Sequence, residues 1–187
     1  MVVRIQEKSV AEIDKKIREM TTSLNKIAYL ESAIKFNFSF DIKRFIWEKL
    51  STLYEEKKLY DKAAKAMVGK ALIDISFRDK MESYLKAGEF FAKAGKIEDS
   101  EHIFTKAIRE AQTQEEKLKI KLAMKNIFLT IAKELEKSSK KVNASYFYKK
   151  ILEMPITESE KQQIKEKLRI IYKSLGKFRE AELLEGI

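Results

Sequence analysis

Apolar residues at Ile13, Ile17, Met20, Leu24, Ile27, Leu30 and Ile34 follow one another in steps of three and four, the spacing that keeps one face of an α-helix apolar. Residues 9–38 are therefore expected to form one long helix or a helix hairpin. The candidate break is Thr21, Thr22 and Ser23, whose hydroxyls compete for backbone hydrogen bonds and favour caps over helix interiors. Three heptads without consistent flanking charge pairs fall short of a coiled-coil arm, so packing onto the rest of the chain is expected. Phe36, Phe38 and Phe40 then alternate through a short polar stretch ending at Asp41. That pattern predicts a buried connector, with Asp41 as N-cap of a helix beginning near Ile42. A strand here would have no partner for its backbone.

From residue 41 onward the pattern repeats. Trp47, Leu50, Ser51 and Tyr54 share one helical face, and Tyr60, Ala63 and Met67 follow on a second helix after a turn at Lys57 and Lys58. Tyr84, Ala87, Gly88 and Phe91, a turn at Gly95, then Ile97, Ser100, Phe104 and Ala107 repeat the arrangement. A third copy runs through Phe128, Ile131, Ala132 and Leu135 to Ala144, Tyr148 and Ile151, with Pro155 beyond, where a residue without a backbone N–H stops a helix. The fourth has Leu168, Tyr172, Gly176, Phe178, Ala181 and Leu184, but Lys165 stands where the other copies have their first aromatic. Each copy reads as a helix hairpin in which Ala63, Ser100, Ala144 or Ala181 lets two backbones approach closely. These small residues lie 37, 44 and 37 positions apart. The longer step predicts an extended helix from about Glu115 to Ser138, with Leu118, Leu122, Phe128, Ile131 and Leu135 on its face. A lone hairpin cannot bury its apolar face, so such units stack. The expected fold is all-α, an α-α superhelix of three to four hairpins (41–187) with an N-terminal helical segment (1–40) packed on the array.

These residues resemble the tetratricopeptide repeat, whose pattern is W-x2-L-G-x2-Y, then A-x3-F, then P. The resemblance covers roughly residues 44–187 and is best over 81–108; the long spacing resembles the longer-hairpin soluble NSF attachment proteins. It implies a non-catalytic scaffold or adaptor that binds a peptide or helix of another protein in a concave groove lined by the first helix of each hairpin. Carried onto this chain, the groove would hold Glu48, Thr52 and Glu55, then Leu85, Glu89 and Lys93, then Leu129, Lys133 and Lys137. It would run from acidic to basic and orient a ligand of opposite polarity. The carboxylate clamp of chaperone-binding members is not matched: Glu48, Thr52 and Lys86 occupy the corresponding places and no Asn falls there.

Composition narrows the chemistry. Five Gly and one Pro in 187 residues leave little of the punctuation that sheet turns need. With no Cys and one His, thiol catalysis, disulfides and Cys/His zinc sites drop out. His102 has Glu98 and Asp99 at helical spacings, half of a di-metal motif whose other half is missing, so a surface role is expected. Glu55–Glu56 and Glu115–Glu116 diverge around a helix and cannot act as acid/base couples. No enzyme, cofactor or metal is predicted. Abundant Ile, Lys and Glu without Cys resembles heat-adapted usage. No apolar run is long enough to span a bilayer, and the charged amino terminus has no leader-like stretch, so a soluble cytoplasmic chain starting at Met1 is expected.

Charge adds a second candidate partner. Lys and Arg number 39 against 29 Asp and Glu, a net charge of +10, and most of the surplus falls after residue 120. Lys133, Lys137, Lys140, Lys141, Lys149 and Lys150 straddle one predicted turn and form a candidate basic patch for phosphates or an acidic partner. RNA or ribosome association is the alternative. Phe147 and Tyr148 have core spacing, which leaves Tyr146 alone to stack on a base, and lysine lacks the guanidinium fork. At the carboxy terminus, Phe178, Ala181, Leu183, Leu184 and Ile187 have no polar capping helix after them, which predicts self-association or partner docking there unless Leu184 is buried within its own chain, the alternative that is slightly favoured.

Overall fold

The computed structural model describes residues 5–184, and over them the chain is all-helical, with ten helices and no strand. The helices are α1 (Val10–Glu19), α2 (Ser23–Ala33), α3 (Phe40–Glu56), α4 (Tyr60–Ala71), α5 (Phe77–Lys93), α6 (Ile97–Glu110), α7 (Gln114–Lys137), α8 (Lys141–Leu152), α9 (Glu158–Ser174) and α10 (Phe178–Glu182). Within each of two compact units they pack against neighbours in chain order, the arrangement of a helical-repeat array. The two units are Met1–Ala107 and Ile108–Ile187.

The amino-terminal segment is two helices. Thr22 caps α2, its hydroxyl accepting from the Asn25 N–H at 3.2 Å, and α1 is capped in the same way by Ser9. Both helices pack on α3. The connector after α2 departs from expectation. Phe36 and Phe40 are exposed and Phe38 is half-buried, because Phe36 and Phe38 stack on each other, rings 6.0 Å apart, instead of entering the core. The N-cap of α3 is Ser39, and Asp41 sits one residue inside the first turn, where its charge favours the helix dipole.

Four hairpins follow, α3–α4, α5–α6, α7–α8 and α9–α10, and one backbone device closes all of them. Lys58, Gly95, Ser139 and Gly176 adopt positive φ of 57°, 76°, 58° and 72°. The next N–H reaches back five residues: Leu59 to the Tyr54 carbonyl, Lys96 to Phe91, Lys140 to Leu135 and Lys177 to Tyr172, at 2.8–2.9 Å. This is the Schellman closure, in which one left-handed residue lets a helix end satisfy its last carbonyls. The four turn residues have the same 37, 44 and 37 spacing as the small residues five positions later, so the sequence repeat and the backbone repeat are in phase.

Packing follows the same register. Ala63, Ser100, Ala144 and Ala181 are fully buried. In the second hairpin the contact is tight from both sides: the Ser100 hydroxyl donates to the Gly88 carbonyl at 2.8 Å, and a Cβ on Gly88 would stand 2.5 Å from the buried Phe104 ring. Ser51 and Ala132, at the places equivalent to Gly88, are also small and buried. In the fourth hairpin Lys165 replaces the aromatic and is itself 7% exposed, its aliphatic stem filling the core place. The long helix α7 is present as expected, but only Phe128 and Ile131 of its predicted apolar face are buried; Leu135 is half-buried and Leu118 and Leu122 are exposed.

Candidate partner-binding face

The first helices of the hairpins hold the expected groove residues on solvent-facing positions. In the first unit, Glu48 and Thr52 on α3 are exposed and Glu55 is half-buried, while Leu85, Glu89 and Lys93 on α5 are all half-buried. In the second unit, Leu129 on α7 is half-buried and Lys133 and Lys137 are exposed. Glu48, Leu85 and Leu129 occupy one repeat position, and Thr52, Glu89 and Lys133 the next turn of it, again at steps of 37 and 44.

Ion pairs knit neighbouring first helices together at matching places. In the first unit Lys86 reaches Glu55 at 3.7 Å; in the second Lys167 reaches Glu136 at 3.4 Å, at the same repeat positions. Glu136 also accepts from the Tyr148 hydroxyl, with Lys167 lying 5.7 Å from that ring. Glu31 of α2 is held in the same manner by the Tyr54 hydroxyl and by Lys62 at 3.3 Å, with Lys62 5.4 Å from the Tyr54 ring. The Tyr54 hydrogen bond, with Lys62, keeps the Glu31 carboxyl below its ordinary range, while burial and the facing carboxylate push both tyrosine hydroxyls up.

These pairs alter the charge expected of the first unit's face. Glu89 accepts from Lys93 at 2.6 Å and lies 3.4 Å from Lys86. Burial works against its charge, but the two lysines outweigh burial and hold the carboxyl below its usual value. The Glu55–Lys86–Glu89–Lys93 chain is thus internally neutral, and the exposed acidic character of this face comes from Glu48.

The basic residues of the second unit fall into two sets. Lys133, Lys137, Lys140 and Lys141 are exposed around the α7–α8 turn and make no ion pair or hydrogen bond through their side chains among the described residues. Lys149 and Lys150 lie at the far end of α8, about 12 Å along the helix from Lys141 by its rise per residue. They are engaged there: Lys149 sits over the Tyr172 ring, while Lys150 sits over Tyr146 and pairs with Glu153 at 3.3 Å. Tyr146 is half-buried, edge-on to Phe147.

One polar cluster escaped sequence reasoning. Ser83 on α5 donates to Asp74 at 2.6 Å, and Lys70 donates to Ser83 at 3.2 Å. The trio has the residue types of a nucleophile with a base, but Ser83 is fully buried and its hydroxyl proton is committed to the carboxylate, so the cluster ties α4 to α5. Lys70 and Asp74 stand one helical turn apart in sequence, but no motif signals that Ser83 of α5 meets them across the α4–α5 connection. His102 is exposed on α6, and among the described residues no group of three or more His, Asp or Glu gathers as a metal site. At the carboxy terminus Phe178 and Leu183 are exposed, Ala181 is buried and Leu184 half-buried; Ile187 lies outside the described residues.

The fold and face define an all-α array of helix hairpins whose first helices carry the solvent-facing polar residues. Comparison of the chain with protein-family models, with curated proteins and with solved structures gives no match. Among the described residues no helix is long and apolar enough to cross a membrane.

Proposed function

We propose that the protein is a non-catalytic interaction scaffold of the tetratricopeptide-like kind, acting in the cytoplasm and holding a peptide or helix of a partner protein along the first-helix faces. One observation carries the reading: the hairpins repeat in phase, and at the same repeat positions, 48/85/129 and 52/89/133, the first helices keep side chains open to solvent or only half-covered. A repeated open face within each unit offers regularly spaced contacts to an extended or helical ligand.

The test is charge reversal at two exposed, unpaired positions, Glu48→Lys and Lys133→Glu. Glu89 is a poorer probe, because reversing it also breaks its ion pairs with Lys86 and Lys93. Capture of protein partners from the source cells on immobilised protein, read by mass spectrometry, should yield a discrete partner whose affinity falls at least tenfold in one or both variants. An unchanged affinity in both removes the proposed face.

A nucleic-acid partner is the second reading, favoured by the four unpaired lysines at the α7–α8 turn. The shortage of free aromatic rings beside them weighs against it.

A further inference from the structure

Helix α7 is 24 residues long, whereas α3, α5 and α9 are each 17. The extra turns, residues 114–120, lie at its amino-terminal end and carry Leu118; Leu122 follows one turn later, and the two are 48% and 38% exposed. At 3.6 residues per turn, Leu118, Leu122 and Lys133 all point within about 40° of Leu129, and Lys137 within about 80°. One face of α7 therefore carries Leu118 and Leu122 in its first half and Lys133 and Lys137 in its second; Glu115, Lys125 and Glu136 also fall within about 40° of Leu129 and are each ion-paired. It runs about 28 Å from Leu118 to Lys137 by helix rise.

The neighbouring first helix continues it. Lys125 pairs with Glu160 at 2.7 Å and Glu136 with Lys167, which ties α9 alongside α7. On α9, Ile170 stands at the repeat position of Lys133 and is 59% exposed. The exposed leucines, which the long helix does not bury in its own core, are the kind of apolar surface that marks an interaction site, and Ile170 lies level with Lys133 further along.

The charges select the occupant. Glu115, Glu136, Glu160 and Glu166 pair with Lys119, Lys167, Lys125 and Arg169, so the carboxylates around this surface are compensated. Lys133 and Lys137 are not. Resting on the scaffold reading above, we infer that the α7–α9 surface docks an amphipathic helix of another protein, apolar at one end of its contact face and acidic at the other. The leucines anchor the apolar end, and the two lysines meet the carboxylates and fix which way the helix lies.

The probe is a fluorescein-labelled, acetylated 18-residue helical peptide with leucines at i, i+4, i+7 and i+11 and three glutamates on the same face at one end. Its binding to the full chain is followed by fluorescence anisotropy at 0.15 M salt. The expected result is saturable binding that weakens at least tenfold when the glutamates are replaced by lysines. Lys133→Glu/Lys137→Glu should weaken it at least tenfold and Leu118→Ser/Leu122→Ser at least fivefold, with unchanged circular dichroism because all four side chains are exposed. Equal binding of the lysine peptide, or no effect of the lysine variants, overturns the inference. Loss in the lysine variants but not the leucine variants also overturns it, leaving a plain electrostatic surface. A single-stranded 20-mer of uridine that binds more tightly than the peptide, through the same lysines but not the leucines, replaces the helix with RNA. If the peptide binds but only Glu48→Lys alters it, this surface is wrong and the scaffold reading stands. If neither charge form of the peptide binds and cell extracts yield no partner, both fall.

Discussion

At the residue scale, the four hairpin turns set a controlled comparison inside one chain. All four need a left-handed residue, but only Gly95 and Gly176 adopt it without strain; Lys58 and Ser139 carry a Cβ there. A Cβ on Gly95 would meet nothing within 4 Å, so substitution acts through the backbone alone. The left-handed cost to an L-residue is about 1–2 kcal/mol, partly offset by the reduced freedom of the unfolded chain. Gly95→Ala should therefore destabilise by about 1 kcal/mol, while Lys58→Gly and Ser139→Gly should each stabilise by about 0.5 kcal/mol. Urea denaturation followed by circular dichroism checks the signs; a stabilising Gly95→Ala would contradict the closure geometry. The glycines at 95 and 176 announced their turns in the sequence. At Lys58 and Ser139 the turns were legible but the left-handed residue was not, because the strain these side chains bear is enforced by the packed helices on either side.

At the element scale, the helix starts are written in local chemistry. Thr113 with Glu116 and Thr157 with Glu160 form reciprocal capping boxes at α7 and α9. Glu160 does more than cap: its hydrogen bond to Lys125, followed by those at Thr157, lowers its carboxyl to about 2 from an ordinary 4.5. A carboxylate depressed in the folded state stabilises fully above its unfolded pKa and loses that contribution as the pH falls through the folded one. The window is thus between about 4.5 and about 2. Thermal melts across this range should show the native chain losing more stability on acidification than Glu160→Gln, whose amide still suits a capping box. Equal slopes would mean that the Lys125 pair contributes nothing. Caps at Ser9, Thr22, Ser76, Thr113 and Thr157 follow from side chains one can read directly. The exposed phenylalanines of the 36–40 connector do not: alternation predicts that one face is buried, but not whether another element arrives to bury it.

At the scale of the whole molecule, each compact unit is a chain of nearest neighbours, with α4 packed on α5 in the first and α8 on α9 in the second. A lesion should then spread only to adjacent helices. Gly88→Ala drives a Cβ to within 2.5–2.8 Å of three atoms of the buried Phe104 ring. Overpacking of this kind costs about 1–3 kcal/mol and outweighs the roughly 1 kcal/mol that alanine gains in helix propensity. Native-state hydrogen exchange should quicken in α5 and α6 and in α4 beside them, with α8 and α9 unchanged. Uniform acceleration across all helices would show one indivisible folding unit instead.

The residues alone determined the helices, the phase of the four hairpins and the small residues at their crossings, because all of these depend on periodicity and on contacts within about forty positions. Tertiary structure decided which charges remain available. Glu136 looks as free in the sequence as Glu48, yet Lys167 of the adjoining first helix pairs with it, and Glu55 is met in the same way by Lys86, whereas Lys133 and Lys137 make no ion pair among the described residues. It likewise decided that Leu118 and Leu122, apolar and correctly spaced for a core, remain on the surface. Periodicity reports which side chains share a face; only the neighbours that fold against that face determine whether it is filled, paired or left for something else to bind.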